Sequence, residues 1–212
     1  MRRLARACFF AFAAALTAVA ACSGGSSGME AGGDDDNGGA DDPGGFTDGP
    51  DGGGDEPTCA AAASYSTLPD QEAEQGMDED GETYLGLYAE LDAGDPNNWF
   101  EVSLWNGAGA FASAAVAPGT YTISGDETSF LDCGVCVTVY GDVDPATDLE
   151  RQIYQAQTGT VTIDSVAGTL AGSLSDVVLV EVDPTSSTPV AGGCQTRIPS
   201  ATFSATITAA MP

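Results

Sequence analysis

The 212-residue sequence has no histidine and no lysine, and its five arginines stand against 32 acidic residues, a formal net charge of −27. Without imidazole the chain cannot build a Ser-His-Asp or Cys-His pair, an imidazole general base, or the common His-containing zinc sites. Carboxylates and thiols are the ionisable groups left for proton transfer near neutral pH. Arg2, Arg3 and Arg6 crowd the N-terminus, so Arg151 and Arg197 serve all the rest. A chain of this charge repels nucleic acid and anionic headgroups, and neither is expected as a partner. Helical periodicity is also missing. The nearest approach, residues 70–75, is too short to matter.

Residues 1–22, MRRLARACFFAFAAALTAVAAC, combine a basic start, an apolar stretch from Ala7 to Val19, and the small pair Ala20-Ala21. This is the pattern of a secretory signal peptide over residues 1–21, because the apolar stretch falls short of the roughly 20 residues a membrane-spanning helix needs. Its end, Val19-Ala20-Ala21-Cys22, resembles the lipobox of bacterial lipoproteins. That resemblance implies cleavage before Cys22, a diacylglyceryl group on the Cys22 thiol, and an acylated new N-terminus. Two or three acyl chains on one residue give stable anchoring that one chain does not. Ser23 stands where an Asp favours inner-membrane retention in that family, so the expected location is exported and lipid-anchored at the outer membrane, on its periplasmic or cell-surface face.

Residues 22–58 follow as the lipidated cysteine and a Gly/Asp-rich tether. From Ser23 to Thr58 there are 13 glycines and 10 acids in 36 residues, with almost nothing to bury, and disorder is expected. A flexible chain of this length spans roughly 30 to 36 Å, more with self-repulsion. Asp48, Asp51 and Asp55 lack the tighter ligand alternation of a calcium loop, so a solvated spacer is the reading.

Residues 59–212 suffice for one domain with a sizeable core. Apolar alternation marks strands at 84–91, 99–105, 121–123, 135–140, 160–163, 177–182 and 201–207, separated by turn formers such as Ala117-Pro118-Gly119 and Ala167-Gly168. An all-β fold follows. The expectation is an antiparallel β-sandwich behind the disordered acidic linker, with a closed β-barrel as the alternative.

With Cys8 in the signal segment and Cys22 lipidated, Cys59, Cys133, Cys136 and Cys194 remain, an even number that reads as two disulfides in an exported domain. Two residues three apart in an extended strand lie about 10 Å apart, beyond disulfide reach, unless Gly134 makes a turn. The connectivity favoured on that ground ties Cys133 and Cys136 separately to Cys59 and Cys194. A redox CxxC calls for a helix start beside a parallel sheet, and a four-cysteine zinc site for a second CxxC pair; the sequence offers neither.

Pairing the strands at 83–92 and 98–106 as a hairpin puts Leu85, Leu87, Ala89 and Leu91 with Phe100, Val102 and Leu104 on one face, the core. Tyr84, Gly86, Tyr88 and Glu90 join Trp99, Glu101, Ser103 and Trp105 on the other, with Glu90 opposite Trp99 and Tyr84 opposite Trp105. Tyr84, Tyr88, Trp99, Glu101 and Trp105 are therefore candidate glycan-contacting residues, since ring faces stack on sugar C–H faces and carboxylates accept hydroxyl hydrogen bonds. The competing account covers these rings with a neighbouring segment and makes them a second hydrophobic cluster. Glu90 with Asp92, and Glu181 with Asp183, are spaced about 6.5 to 7 Å along a strand, permissive for carboxylate-based glycoside hydrolysis but common by chance in so acidic a domain. No catalytic residue is assigned. Asp142, Asp144 and Asp148, with Glu150, are weak calcium candidates in a turn that is more simply solvated. Gly107-Ala108-Gly109 lacks the following helix of a phosphate cradle, and no cofactor is implied.

The stretch from Trp99 to Asp142, with its glycine-aromatic loop, Gly119-Thr120-Tyr121 strand and Cys133-Gly134-Val135-Cys136-Val137 strand, followed by 158–182, resembles a group of uncharacterised lipoproteins from myxobacterial-type lineages. The resemblance implies an exported β domain behind a lipobox and no particular activity. The expected role is a membrane-anchored, non-catalytic structural or interaction domain, with a glycan or cationic protein as partner and, less so, calcium. A carbohydrate-binding module is the alternative, and a glycoside hydrolase a distant second.

Overall fold

The computed structural model describes residues 58–78, 81–92, 97–144, 146–147 and 149–209. The expected signal segment, Cys22 and nearly all of the tether lie outside the described residues. Eight strands form: β1 (Glu72–Met77), β2 (Thr83–Asp92), β3 (Asn98–Trp105), β4 (Gly119–Thr122), β5 (Val135–Gly141), β6 (Gln152–Ala167), β7 (Thr169–Glu181) and β8 (Gln195–Ala209). Two short 3-10 turns, Gly109–Phe111 and Gly125–Thr128, are the helical pieces among the described residues. The stretch that came nearest a helical period contributes instead to strand β1.

The strands run β6-β5-β3-β2-β1-β8-β7, and β7 pairs back with β6. This closes a seven-stranded barrel and corrects the expected sandwich, whose two sheets would leave β6 and β7 unpaired. The alternative, a closed barrel, is the fold that forms. Full closure removes the sheet edges that invite aggregation. Strand β4 stands outside the ring: β5 pairs with β6 at Gln152–Gln155, and β4 takes the same side of β6 further along, at Thr160–Ile163. All pairings are antiparallel except β1 with β8, which is parallel over Ala73↔Ile207 to Gln75↔Ala209.

A line of irregularities lets the long strands curve. In β6, Tyr154 and Ala156 point into the core, but beyond the register shifts around Gly159 the inward residues are Val161 and Ile163. In β7 the inward set changes from Leu170 and Leu174 to Val177 and Leu179 across Asp176, and in β8 from Ile198 to Ala201 and Phe203 across Pro199 and Ser200. Inserting one residue bends a strand and increases its twist, which barrel closure requires. Gly159 has φ +127°, and a Cβ there would lie 2.6 Å from the Val177 Cα, so only glycine fits.

Phe100, Leu87, Leu104, Ile163, Leu170, Leu179 and Ile198 fill the interior and are all but inaccessible. Burying each contributes roughly 1.5 to 3 kcal/mol. The segment before β1 joins this core through Ala61, Tyr65 and Leu68. The Tyr65 N–H donates to the Arg197 carbonyl at 2.8 Å, its hydroxyl donates to Asp92 at 2.8 Å, and the Cys59–Cys194 disulfide fastens the segment to the start of β8. Burial, with the Asp92 carboxylate beside it, pushes the Tyr65 phenol up to about 12. Outward positions on β4, β6, β7 and β8 are largely Ser and Thr, so along these strands the wall is apolar inside and polar outside, the reverse of a lipid-facing surface. Among the described residues no helix is long and apolar enough to cross a membrane.

Candidate functional site

The β2–β3 hairpin adopts the register read from the sequence, Tyr84↔Trp105 and Glu90↔Trp99, with Leu87, Ala89, Phe100, Val102 and Leu104 inward. Its other face is the outer wall of the barrel, continued by β1 and β5. There the five candidate glycan-contacting residues divide. Trp105 is 3% exposed and Glu101 4%, whereas Tyr84, Tyr88 and Trp99 are half-exposed.

Two small apolar clusters account for the covered part. Trp105 packs with Ala108 and the Cys133–Cys136 disulfide, and stacks on Tyr84 with ring centroids 4.8 Å apart and planes 28° apart. Phe130, Tyr140, Ile153 and Val182 form the other cluster, with Trp99 against it. Glu101 lies in the wall between them and accepts the Tyr140 hydroxyl at 2.6 Å. A buried carboxylate held by a donor in this way is a structural group rather than a solvent-facing acceptor.

The disulfide of this roof corrects the expected connectivity. Cys133 pairs with Cys136, Cα atoms 5.3 Å apart, and Cys59 pairs with Cys194. Strand β5 begins at Val135, so Cys133 is outside the extended run, and Gly134 makes the turn. A Cβ on Gly134 would collide with the Ala108 carbonyl, so the turn packs directly on the 107–111 loop. Glu127, overlooked in the sequence, secures the arrangement: its carboxylate accepts the Ala110 N–H and the Val135 N–H, both at 2.5 Å, while only 6% exposed. Its one signal was a charge close before a CxxC.

The second residue missed is Glu74 on β1. Its Oε1 accepts the hydroxyl of Tyr84 at 2.8 Å and that of Tyr88 at 3.2 Å. Glycines let both rings lie low on the sheet, since a Cβ on Gly76 would sit 2.6 Å from the Tyr84 ring and one on Gly86 2.6 Å from the Tyr88 hydroxyl. Burial first, then the Glu74 carboxylate, pushes the Tyr84 phenol well above its ordinary value, so its hydroxyl stays a protonated donor to Glu74. Two half-exposed rings sharing one half-exposed carboxylate can offer a ligand apolar contact and a hydrogen-bond acceptor together.

The other candidates are differently employed. Asp92 accepts from Tyr65 and from the Asn98 amide, both at 2.8 Å, beyond a register shift that separates it from Glu90. Glu181 accepts the Cys194 N–H at 2.9 Å. Asp183 accepts the Thr185 hydroxyl and N–H, which hold its carboxyl below the usual range. Asp142 pairs with Arg151 at 2.9 Å, Asp144 accepts from Ala146 and Thr147, and Asp148 lies outside the described residues. Among the described residues no group of three or more His, Cys, Asp or Glu is placed to hold a metal ion. Compared with protein-family models, curated proteins and solved structures, the chain matches none.

Proposed function

We propose that the chain is an exported lipoprotein whose barrel is a non-catalytic, carbohydrate-contacting module. Acyl chains on Cys22 hold it to the outer membrane, and the acidic spacer of residues 23–58 lets it reach beyond the surface. The basic start, apolar stretch and Val19-Ala20-Ala21-Cys22 pattern support the anchor. The observation that carries the binding role is the pair of half-exposed tyrosines, Tyr84 and Tyr88, hydrogen-bonded to Glu74 on the outer wall, with half-exposed Trp99 on the same face. Trp105 supports this surface from beneath by stacking on Tyr84 and makes no ligand contact itself.

The anchor is tested by mass spectrometry of the mature N-terminus, which should begin at a lipid-modified Cys22; an unmodified cysteine there removes it. Binding is tested on a glycan array with the full chain in detergent and with a Tyr84→Ala, Tyr88→Ala variant. Retention of specific glycans by the parent and their loss in the variant is the expected result. Absence of any retained glycan leaves a structural domain. Glycoside turnover that disappears with Glu101→Gln or Glu181→Gln contradicts the non-catalytic assignment.

A further inference from the structure

Charge narrows the class of sugar that the β1–β2–β3 face can take. Glu74 accepts two tyrosine hydroxyls on a single oxygen, and a carboxylate has about four lone-pair sites, so acceptor capacity remains for a ligand donor. Glu72 projects from the same side of β1, two residues away, exposed and paired in register with Tyr88. Glu90, half-exposed, adds a third carboxylate opposite Trp99.

Nothing cationic on the described face balances them. The chain has no lysine, Arg151 pairs with Asp142 in the loop after β5, and Arg197 sits on β8 in register with Val178. An acidic sugar would meet like charge here, and a neutral one would gain ring contact and ordinary hydroxyl hydrogen bonds to the carboxylates without charge assistance. A protonated amine gains on both counts, because it donates charge-assisted hydrogen bonds to a carboxylate and is attracted to the negative face of an aromatic ring. The Ser/Thr wall of β6, β7 and β8 offers neither rings nor carboxylates in this combination.

We propose that the ligand is a hexosamine polymer with free amino groups, one ammonium seated on Glu74 beside the Tyr84 and Tyr88 rings and a further one drawn toward Glu72. This rests on the carbohydrate-contacting role proposed above and specifies its ligand.

The experiment is a calorimetric titration of the full chain in detergent, at mildly acidic pH where the sugar amine is protonated. The probes are a glucosamine hexamer, the fully N-acetylated hexamer and hexalysine. The glucosamine hexamer should bind at least about tenfold more tightly than the acetylated one, with an advantage that shrinks as salt is added. Glu74→Gln should abolish that advantage and leave the weaker acetylated binding in place, since the amide oxygen still accepts from the tyrosines. Glu74→Asp serves as the second variant and should keep part of the preference. Equal binding of the two hexamers overturns the amine assignment while the carbohydrate role stands. Binding of neither overturns the amine assignment, and the glycan array then decides the carbohydrate role. Hexalysine binding as tightly as the glucosamine hexamer also overturns the proposal, because the face then selects charge without the sugar.

Discussion

Removing the Cys59–Cys194 disulfide should cost far more than removing the Cys133–Cys136 one, and the size of the difference follows from the chain each closes. The first links residues 135 apart and the second residues only 3 apart. In the chain-entropy account, a loop of the first length removes about 5 kcal/mol of denatured-state entropy at room temperature and one of the second about 2 kcal/mol. Lost packing of Cys133 and Cys136 under Trp105 adds about 1 kcal/mol to the second figure. The measurement is urea unfolding of two double-alanine variants, Cys59→Ala with Cys194→Ala and Cys133→Ala with Cys136→Ala, in a soluble Cys22→Ala background. The first should lose about 5 kcal/mol, enough to bring a domain of ordinary stability close to unfolding, and the second about 3 kcal/mol. The urea dependence should steepen more in the first, because its denatured state expands. The crossed connectivity makes a different demand, since it closes two loops of similar length worth about 4 kcal/mol each. Equal losses, or a larger loss in the CxxC variant, would mean that the length of chain each bridge closes does not set its contribution.

Two further outcomes follow from the packing. Gly159→Ala should destabilise the domain by about 2 kcal/mol or more, read from the same urea midpoints, since it combines a positive φ with a Cβ against the Val177 backbone; a neutral effect would mean that the curvature of β6 does not depend on this residue. Tyr65, with its phenol raised to about 12 in the folded state from an ordinary value near 10, contributes stability that is fully present below pH 10 and is lost as pH rises toward 12. The loss should be on the order of 1 to 2 kcal/mol after allowance for solvent screening, and Tyr65→Phe should reduce the alkaline slope in the pH dependence of unfolding by that amount, leaving the share of other raised phenols such as Tyr84.

Local pattern carried the hairpin and failed at the closure. Alternation holds through Thr83–Asp92 and Asn98–Trp105 apart from the shift near Asp92, so the inward leucines and the outward aromatics could be assigned residue by residue, including the Tyr84↔Trp105 and Glu90↔Trp99 pairs. In β6, β7 and β8 the pattern was recognised only from 160, 177 and 201 onward, because the inward parity changes near Gly159, Asp176 and Pro199. Reading each run as a short strand hid the lengths of 16, 13 and 15 residues that let β6 and β7 pair along most of their course and close the ring. A mid-strand glycine at 159 was the available sign of a bulge. At the outer face, the types and the face of Trp105 and Glu101 were legible, but their burial was not, because the cover comes from residues 107–111 and 125–136, joined through Glu127. Glu74 was missed because β1 sits in a stretch whose spacing looked faintly helical.

Ligand contact with the outer wall of β1, β2 and β3 is read by mapping NMR chemical-shift changes on the isotope-labelled Cys22→Ala chain as glucosamine hexamer is added. Changes should centre on Glu72, Glu74, Tyr84, Tyr88 and Trp99, with little movement in the Ser/Thr-rich strands β7 and β8. Changes centred on those strands, or spread evenly over the acidic surface, would contradict contact at this wall.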